Sequence, residues 1–232
     1  MELRDEALKL NINLTDEALN RFNTYYEFLV SYNEHTNLTA ITDYDSVMIK
    51  HFYDSLILSK ALPSGKIKLL DVGAGAGFPS VPNAIINSDL DVTIIDSLNK
   101  RIIFLAELCK KLELSNVTPI HGRAEEYALE NREGFDVVTA RAVARLNILS
   151  ELCIPFVKKG GLFIAMKSKE GQEELNEALN GIKLLGGEVV DRLDFTLPYD
   201  MGERELIIIK KVKDTPQKYP RKFALIKNKP LK

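Results

Sequence analysis

Residues 68–82, KLLDVGAGAGFPSVP, most constrain the fold: an apolar strand, an acidic residue, alternating glycines and a helix start follow one another. Alternating glycines let the main chain turn sharply and approach a ligand closely, which predicts a ligand-binding turn between strand and helix. A tight turn without a ligand is the alternative. The dinucleotide fingerprint G-x-G-x-x-G fails in both registers, because Phe78 or Ser80 stands where its third glycine would be.

The residues beside the glycines indicate the charge of the ligand. A phosphate-binding P-loop ends in Gly-Lys-Ser/Thr, and no lysine follows Gly77. Asp71 stands two residues before Gly73, so we expect its carboxylate beside the ligand, with Gly73 and Gly75 offering their main chain. A carboxylate disfavours a pyrophosphate and favours a cationic group such as an amine or a sulfonium.

Length and composition favour one domain with an appendage, since 232 residues of which 45% are apolar can bury a substantial core. No apolar run approaches the roughly 20 residues that span a bilayer, and the start MELRDEALKL is too charged for a signal peptide, so a cytoplasmic protein without membrane contact is expected. Cys109 and Cys153 are expected to be buried free thiols. The spacing of His35, His51 and His121 predicts no metal site.

The charges are distributed unevenly along the chain. Residues 1–66 carry 6 basic and 10 acidic residues, whereas residues 206–232 carry 9 basic residues against Asp214 alone. A cationic tail suggests a phosphate-bearing partner, and a solvated terminus is the alternative.

Strand and helix patterns alternate after residue 66. Helical crossovers between strands predict a parallel sheet, while the short link 198–204 predicts that the last strand returns antiparallel. This α/β arrangement resembles the class I, Rossmann-like fold of S-adenosylmethionine-dependent methyltransferases. We expect a helical extension (1–66) with Thr15 capping its second helix and a third helix from about residue 44 to 62, then a methyltransferase domain (67–213) and a basic tail (214–232). The expected strands are 68–72, 91–96, 117–121, 135–140, 161–166, 188–197 and 205–211.

Residues at the carboxyl ends of these strands are candidates for ligand contacts, because open parallel sheets bind ligands there. Asp96 ends the second strand and is expected to accept hydrogen bonds from ribose hydroxyls, with helix capping as the alternative. Ala124 and Glu125 follow the third strand and are expected to offer main-chain groups to an adenine edge, although Glu125 could cap a helix instead.

The turn after the fourth strand, TARAVARL, bears on the substrate. It has neither the Asn/Asp-Pro-Pro-aromatic motif typical of adenine or cytosine amino-group methylation nor a cysteine for attack on a pyrimidine carbon. Arg141 and Arg145 stand four residues apart, potentially on one helix face, and Lys167 ends the fifth strand. These three cations are expected to position a polyanionic substrate, with surface ion pairs as the alternative.

The absence of an evident general base from these motifs favours an acceptor atom that already has a free lone pair. Transfer from a sulfonium is an in-line displacement that needs mainly correct placement of the acceptor. A ring nitrogen such as position 7 of guanine has that lone pair at neutral pH. No catalytic general base is therefore expected.

The segments NLTAI, KHFYDSL, LLDVGAGAGFP, VTIIDSLNKR, GRAEE, VTARAVARL, KKGGLFIAMK and YPRK together resemble the bacterial 16S ribosomal RNA guanine-7 methyltransferase family, historically named glucose-inhibited division protein B. The resemblance implies S-adenosylmethionine as the methyl donor and a guanine in the decoding-region hairpin of 16S RNA, or of the small subunit, as the acceptor. The family is similar in lacking an established general base, and no protein partner is inferred.

The resemblance also implies roles for individual residues. The donor would be contacted through Gly73, Phe78, Ala124, Glu125 and Arg141. The expected RNA contacts are Arg123, Arg145, Lys167, Arg221 and Lys222. Two positions depart from the family pattern: Ser80 replaces a glycine that usually follows Phe-Pro, and FALIKNKPLK replaces a proline- and glycine-rich run after YPRK.

Other functions remain possible on sequence alone. An RNA-binding assembly factor could keep the fold without the activity, and a methyltransferase could act on a different RNA base. A small-molecule methyltransferase would be expected to place an apolar lid, rather than cations, over its pocket. A nicotinamide-dependent oxidoreductase conflicts with the glycine spacing.

Overall fold

The computed structural model describes residues 2–168 and 171–231, and the seven strands found there form a single sheet in the order β3-β2-β1-β4-β5-β7-β6. Strands β1 to β5 pair in parallel, and β7 runs antiparallel between β5 and β6. The predicted class I methyltransferase topology is confirmed. The strands are β1 (Ile67–Val72), β2 (Leu90–Asp96), β3 (Val117–His121), β4 (Phe135–Arg141), β5 (Val157–Ser168), β6 (Gly187–Thr196) and β7 (Glu203–Lys211).

The fifth strand departs most from the prediction, since it begins at Val157 rather than at Gly161. Its first residues, VKKGG, have no alternating apolar pattern, and Gly160 adopts a positive φ of 86°. The pairing with β4 shifts register there, because Phe135 faces Val157 whereas Val137 faces Leu162. An irregular strand of this kind leaves little trace in hydrophobic periodicity.

Helices cover both faces of the sheet. Thr15 caps the second helix as predicted, since its hydroxyl accepts a hydrogen bond of 3.1 Å from the Ala18 N–H, and that helix continues past Tyr32 to end at Asn37 in the left-handed region. The helices are α1 (Leu3–Lys9), α2 (Asp16–Thr36), α3 (Tyr44–Ser46), α4 (Asp54–Leu56), α5 (Ser80–Ile86), α6 (Asn99–Lys111), α7 (Ala124–Tyr127), α8 (Leu146–Cys153), α9 (Gly171–Leu184) and α10 (Phe223–Asn228).

The third predicted helix is present but is not a regular α-helix. A π-helical segment, Val47–Tyr53, joins α3 to α4, and a 3₁₀ turn, Ile57–Lys60, follows. Such π segments are rare and often occur at functional sites. Here the segment places Lys50, His51 and then Asp54 at the sheet edge described below.

The N-terminal helices share a hydrophobic core with the sheet. Tyr25 and Phe52 are fully buried in the cluster that also contains Leu69 of β1 and Ile94 of β2. The proposed division at residue 66 therefore separates segments that pack as one body. Both cysteines are buried free thiols, as expected. Along residues 2–168 and 171–231, no helix combines the length and apolar character needed to cross a bilayer.

Candidate functional site

The glycine-rich loop after β1 has the conformation that its glycines predict. Gly73 has a φ of 76°, and a Cβ there would lie 2.9 Å from Val143 in the turn after β4. Gly77 has a φ of 100°, and a Cβ there would lie 2.7 Å from the Tyr25 hydroxyl. That hydroxyl donates a hydrogen bond to the Ala76 carbonyl, so α2 supports the loop from beneath.

The Asp71 carboxylate was predicted to lie beside the ligand, and the structure places it in the core instead. Its side chain is fully buried under the loop, where one carboxylate oxygen accepts a hydrogen bond of 3.2 Å from the Ser80 N–H at the start of α5. Burial raises the pKa of Asp71 to about 7, against the lowering effect of the hydrogen bonds from Ser80. The predicted contact with a ligand is thus replaced by a contact that fixes the loop to α5.

A cavity of about 220 Å³ opens at the carboxyl ends of β1, β2 and β3, and we call it the β1–β3 cavity. Several predicted residues meet here, namely Gly73, Asp96, Ala124 and Glu125. Its lining comprises Val72, Gly73, Ile95, Asp96, Ser97, Arg101, Gly122, Arg123, Ala124, Glu125, Val143, Leu152 and Phe223.

Asp96 is held rigidly in this cavity. One carboxylate oxygen accepts hydrogen bonds from the Gly75 N–H at 3.3 Å and the Arg101 guanidinium at 3.0 Å, and the other accepts one from the Leu98 N–H at 2.9 Å. A carboxylate has about four lone-pair sites, so three donors leave room for one more. Asp96 thus links the glycine loop to the start of α6 and retains an acceptor site.

The residues after β3 present main chain to the same cavity. Arg123 precedes α7, and its guanidinium donates a hydrogen bond of 2.6 Å to the Glu125 carboxylate. The side chain of Glu125 is therefore already paired. The Arg123 guanidinium also lies 5.0 Å from the centre of the Phe223 ring. Arg123, predicted to contact RNA, therefore lies at the wall of the β1–β3 cavity.

A second cavity of about 320 Å³ opens at the carboxyl ends of β4 and β5, and we call it the β4–β5 cavity. Four of its nine described lining residues are cationic. Its lining comprises Lys50, His51, Asp54, Arg141, Ala142, Met166, Lys167, Ser168 and Arg204.

Asp54 fixes two of these cations. Its buried carboxylate pairs with Arg141 of β4 at 2.8 Å and with Arg204 of β7 at 3.1 Å. One carboxylate between two guanidiniums leaves a net positive charge, and it holds the two arginines at a defined separation.

Phe78 and His51 pack beneath Arg141. The Phe78 ring is buried, with its centre 4.5 Å from that of His51 and 5.0 Å from the Arg141 guanidinium carbon. His51 Nε2 lies 2.9 Å from the Thr39 hydroxyl, and Nδ1 lies 3.5 Å from Arg141. Burial, reinforced by the charge of Arg141, lowers the pKa of His51 to about 4, so this ring is neutral at pH 7.

Arg141, Arg145 and Lys167 are only partly brought together. Arg141 ends β4, Ala142 has a φ of 56°, and α8 begins at Leu146, so the two arginines do not share a helix face as predicted. Arg145 lines neither cavity, and its half-exposed side chain pairs with Glu177 of α9 at 3.0 Å. Lys167 lines the β4–β5 cavity, bonded to Glu174 at 2.6 Å and the Ala144 carbonyl at 3.0 Å.

The C-terminal tail is fastened to the domain rather than free. Arg221 forms a double hydrogen bond with the fully buried Glu151 of α8, through Nε at 2.8 Å and Nη2 at 2.5 Å. This pairing argues against the predicted RNA contact of Arg221, since its guanidinium is already bound. Lys222 is exposed and can reach a ligand.

Sequence reasoning missed Asp54, Arg204 and Arg101, and treated His51 only as a possible metal ligand. A signal was available for three of them, because the KHFYDSL segment contains His51 and Asp54 and the VTIIDSLNKR segment ends in Arg101. Among the residues that the structure describes, no group of three or more His, Cys, Asp or Glu side chains is placed to hold a metal ion.

Solved structures similar to this chain share its fold. M. jannaschii TYW2 in complex with AdoMet superposes with a TM-score of 0.54 at 19% identity, covering 68% of this chain and 77% of that one. The M. jannaschii fibrillarin pre-rRNA processing protein superposes with a TM-score of 0.51 at 24% identity, covering 66% and 70%. These likenesses support the methyltransferase fold found above.

Comparisons of sequence are more specific. A protein from Staphylococcus saprophyticus named ribosomal RNA small subunit methyltransferase G is 54% identical over 95% of this chain and 93% of its own length. Its namesake from Staphylococcus aureus is 52% identical over 99% and 97%. The family model GidB, described as rRNA small subunit methyltransferase G, matches residues 18–198. The chain therefore belongs to the GidB family of small-subunit ribosomal RNA methyltransferases.

Proposed function

We propose that this protein transfers a methyl group from S-adenosylmethionine to nitrogen 7 of a guanine in 16S ribosomal RNA, in the decoding-region hairpin of the small subunit. The observation that carries the proposal is the cationic lining of the β4–β5 cavity, which contains Lys50, Arg141, Lys167 and Arg204 against one acidic residue, Asp54, among the described lining residues. Phosphate-rich RNA is the acceptor class that such a lining favours.

The residues of the β1–β3 cavity fit S-adenosylmethionine, which supplies a methyl group on a positively charged sulfur. A Cβ at Gly73 would lie too close to the side chain of Val143. Glycine at this position therefore lets the main chain of the loop approach a ligand. Asp96 retains an acceptor site for a ribose hydroxyl. Main-chain groups at Ala124 and Glu125 are available to an adenine edge.

The residues of the β4–β5 cavity would hold the acceptor base and its phosphates. Arg141 donates from Nη1 to the Lys50 carbonyl and the Asp54 carboxylate, which leaves the donors on Nε and Nη2 for substrate. Nitrogen 7 carries a free lone pair at neutral pH, so these residues have to place the base and need not remove a proton. Because its ring is neutral at pH 7, His51 adds no charge to this cavity.

The remaining predicted RNA contacts lie outside this cavity. Arg145 and Lys222 are exposed, so they would contact the RNA backbone and contribute less than the half-buried cations of the β4–β5 cavity. Arg123 borders the β1–β3 cavity and would act mainly on the donor side.

Transfer of a labelled methyl group from S-adenosylmethionine to small subunits lacking the modification tests the proposal. The label should map to nitrogen 7 of one guanine in 16S RNA. Lys167→Ala should reduce incorporation at least tenfold, whereas Lys159→Ala, an exposed lysine at the opposite end of β5, serves as a matched control of charge.

Two outcomes would replace the proposal. Absence of incorporation into naked RNA, assembly intermediates and complete subunits alike, with binding retained, would identify a non-catalytic assembly factor. Incorporation of the label at another base would identify a methyltransferase with a different RNA substrate.

A further inference from the structure

Phe223, in the tail segment that departs from the family pattern, lines the β1–β3 cavity. It begins α10, and its partly buried ring packs against the cluster of buried residues that includes Val72 of β1 and Ile95 of β2. A residue from the far C-terminal end of the chain thus forms part of the wall of the cavity built by the glycine loop.

The tail is anchored on both sides of Phe223. On one side, Arg221 is bonded to the buried Glu151, and the Arg132 guanidinium donates to the main-chain carbonyls of Thr215, at 2.7 Å, and Tyr219. On the other side, Ile226 is fully buried. The Phe223 ring is therefore held against the cavity by contacts that do not depend on a ligand.

The position of Phe223 indicates which part of a ligand it would meet. In open α/β sheets the acidic residue that ends the second strand accepts ribose hydroxyls. The ribose would therefore lie at Asp96, and the base would lie beyond it, toward Gly122 and Arg123 after β3. Phe223 lies on that side, because the Arg123 guanidinium is 5.0 Å from its ring centre.

The electrostatic character of this wall suits a purine. Bases stack on aromatic side chains and on Arg guanidinium groups, so the Phe223 ring together with the Arg123 guanidinium offers flat surfaces on which a purine can pack. Glu125 binds Arg123 at 2.6 Å and keeps the guanidinium in place.

We propose that Phe223 is a positioning residue for the methyl donor, and that the tail of this chain forms the wall against which the adenine base of S-adenosylmethionine packs. This inference rests on the proposed function, because it assumes that the β1–β3 cavity binds the donor. It assigns Phe223 of the tail to donor binding, whereas the neighbouring Lys222 keeps its proposed contact with RNA.

The test is calorimetric binding of S-adenosylhomocysteine to the full-length protein and its variants. Phe223→Ala should raise the Kd at least fivefold, and Phe223→Tyr should restore it to within twofold, because the ring is kept. Leu225→Ala, at an exposed leucine on the same helix, is the matched control and should leave the Kd unchanged. Adenosine alone should show the same ratio between wild type and Phe223→Ala, since the contact is with the base.

The outcomes separate this inference from the proposed function. If the wild-type protein bound no S-adenosylhomocysteine, the proposed function would fail. If the wild type bound it and Phe223→Ala bound it equally well, only the role of Phe223 would be refuted. Loss of binding in Leu225→Ala or Phe223→Tyr equal to that in Phe223→Ala would indicate a structural role of the tail and would also refute the inference.

Discussion

The two cavities at the carboxyl edge of the sheet differ in what they are made of. The β1–β3 cavity combines glycines and apolar side chains with two ion pairs, Asp96–Arg101 and Glu125–Arg123. The β4–β5 cavity carries four long cationic side chains, of which Arg141 and Arg204 are held by the buried carboxylate of Asp54.

This difference allows one sheet edge to serve two different ligands. The charged residues of the β1–β3 cavity are paired and leave it close to neutral, whereas the lining of the β4–β5 cavity keeps an excess of positive charge that suits a polyanionic acceptor. The turn from Arg141 to Arg145 separates the cavities, since Ala142 lines one and Val143 lines the other. Substitutions should therefore affect the two ligands separately, and the following predictions test that separation.

The largest effect is expected from Arg141→Ala. Methyl incorporation into small subunits should fall about a hundredfold, because a buried guanidinium that orients substrate is removed. The Kd for S-adenosylhomocysteine should change less than threefold, measured by calorimetry. A similar loss of donor affinity would mean that Arg141 contacts the donor, as the family resemblance implied, and would break the separation of the cavities.

Asp96→Ala should have the converse effect. Loss of a charge-assisted hydrogen bond costs roughly 1.5–3 kcal/mol, so the Kd for S-adenosylhomocysteine should rise about tenfold or more. RNA binding, measured by filter retention, should remain within twofold. Asp91→Ala, at an exposed aspartate near the other end of β2, is the matched control. Weaker RNA binding in Asp96→Ala would contradict the comparison.

A smaller effect is expected from Arg145→Ala. Arg145 lies outside both cavities and is half exposed, so only a screened contact with the RNA backbone would be lost. The KM for the RNA substrate should rise two- to fivefold with donor affinity unchanged, and the difference should shrink at higher salt. A loss comparable to that of Arg141→Ala would place Arg145 among the residues that hold the acceptor.

The smallest effect concerns the charge of His51. Its pKa is about 4 in the folded protein against an ordinary value of 6.5, so the folded state takes up this proton later than the unfolded state as the pH falls. The stability that His51 contributes is therefore present above pH 6.5 and is lost as the pH falls toward 4. Nuclear magnetic resonance should show a neutral His51 ring from pH 5 to 8, with His51→Ala used for assignment. Titration near pH 6.5 would show that the ring is more exposed to water than described.

Local patterns predicted much of the fold. The strand sequence, the antiparallel return of β7 and the Thr15 cap each follow from short segments with a regular period or a known capping residue. The early start of β5 and the π segment Val47–Tyr53 could not be predicted from such local patterns. The register shift in β5 and the wider helical turn of the π segment depend on packing with distant parts of the chain.

Residues that follow the parallel strands were correctly predicted to lie close together, whereas residues supplied by other elements were missed. Asp96, Ala124 and Glu125 follow parallel strands, so topology alone brings them together. Asp54 reaches the site from the N-terminal helices and Arg204 from β7, and their pairing depends on tertiary packing. Asp71 was misplaced because a sequence does not show whether a carboxylate beside a turn points toward the ligand or into the core.

Through the hydrogen bond from Tyr25 to the carbonyl of Ala76, the N-terminal helices support the glycine loop that we propose to bind the donor. Phe78, within the same loop, stacks on Tyr25 with ring centres 5.4 Å apart. A catalytic fragment beginning at the first strand would lose this support and expose the underside of the loop to water. Truncated variants, and chimaeras that carry another N-terminal segment, should therefore keep α2 together with the loop that it supports.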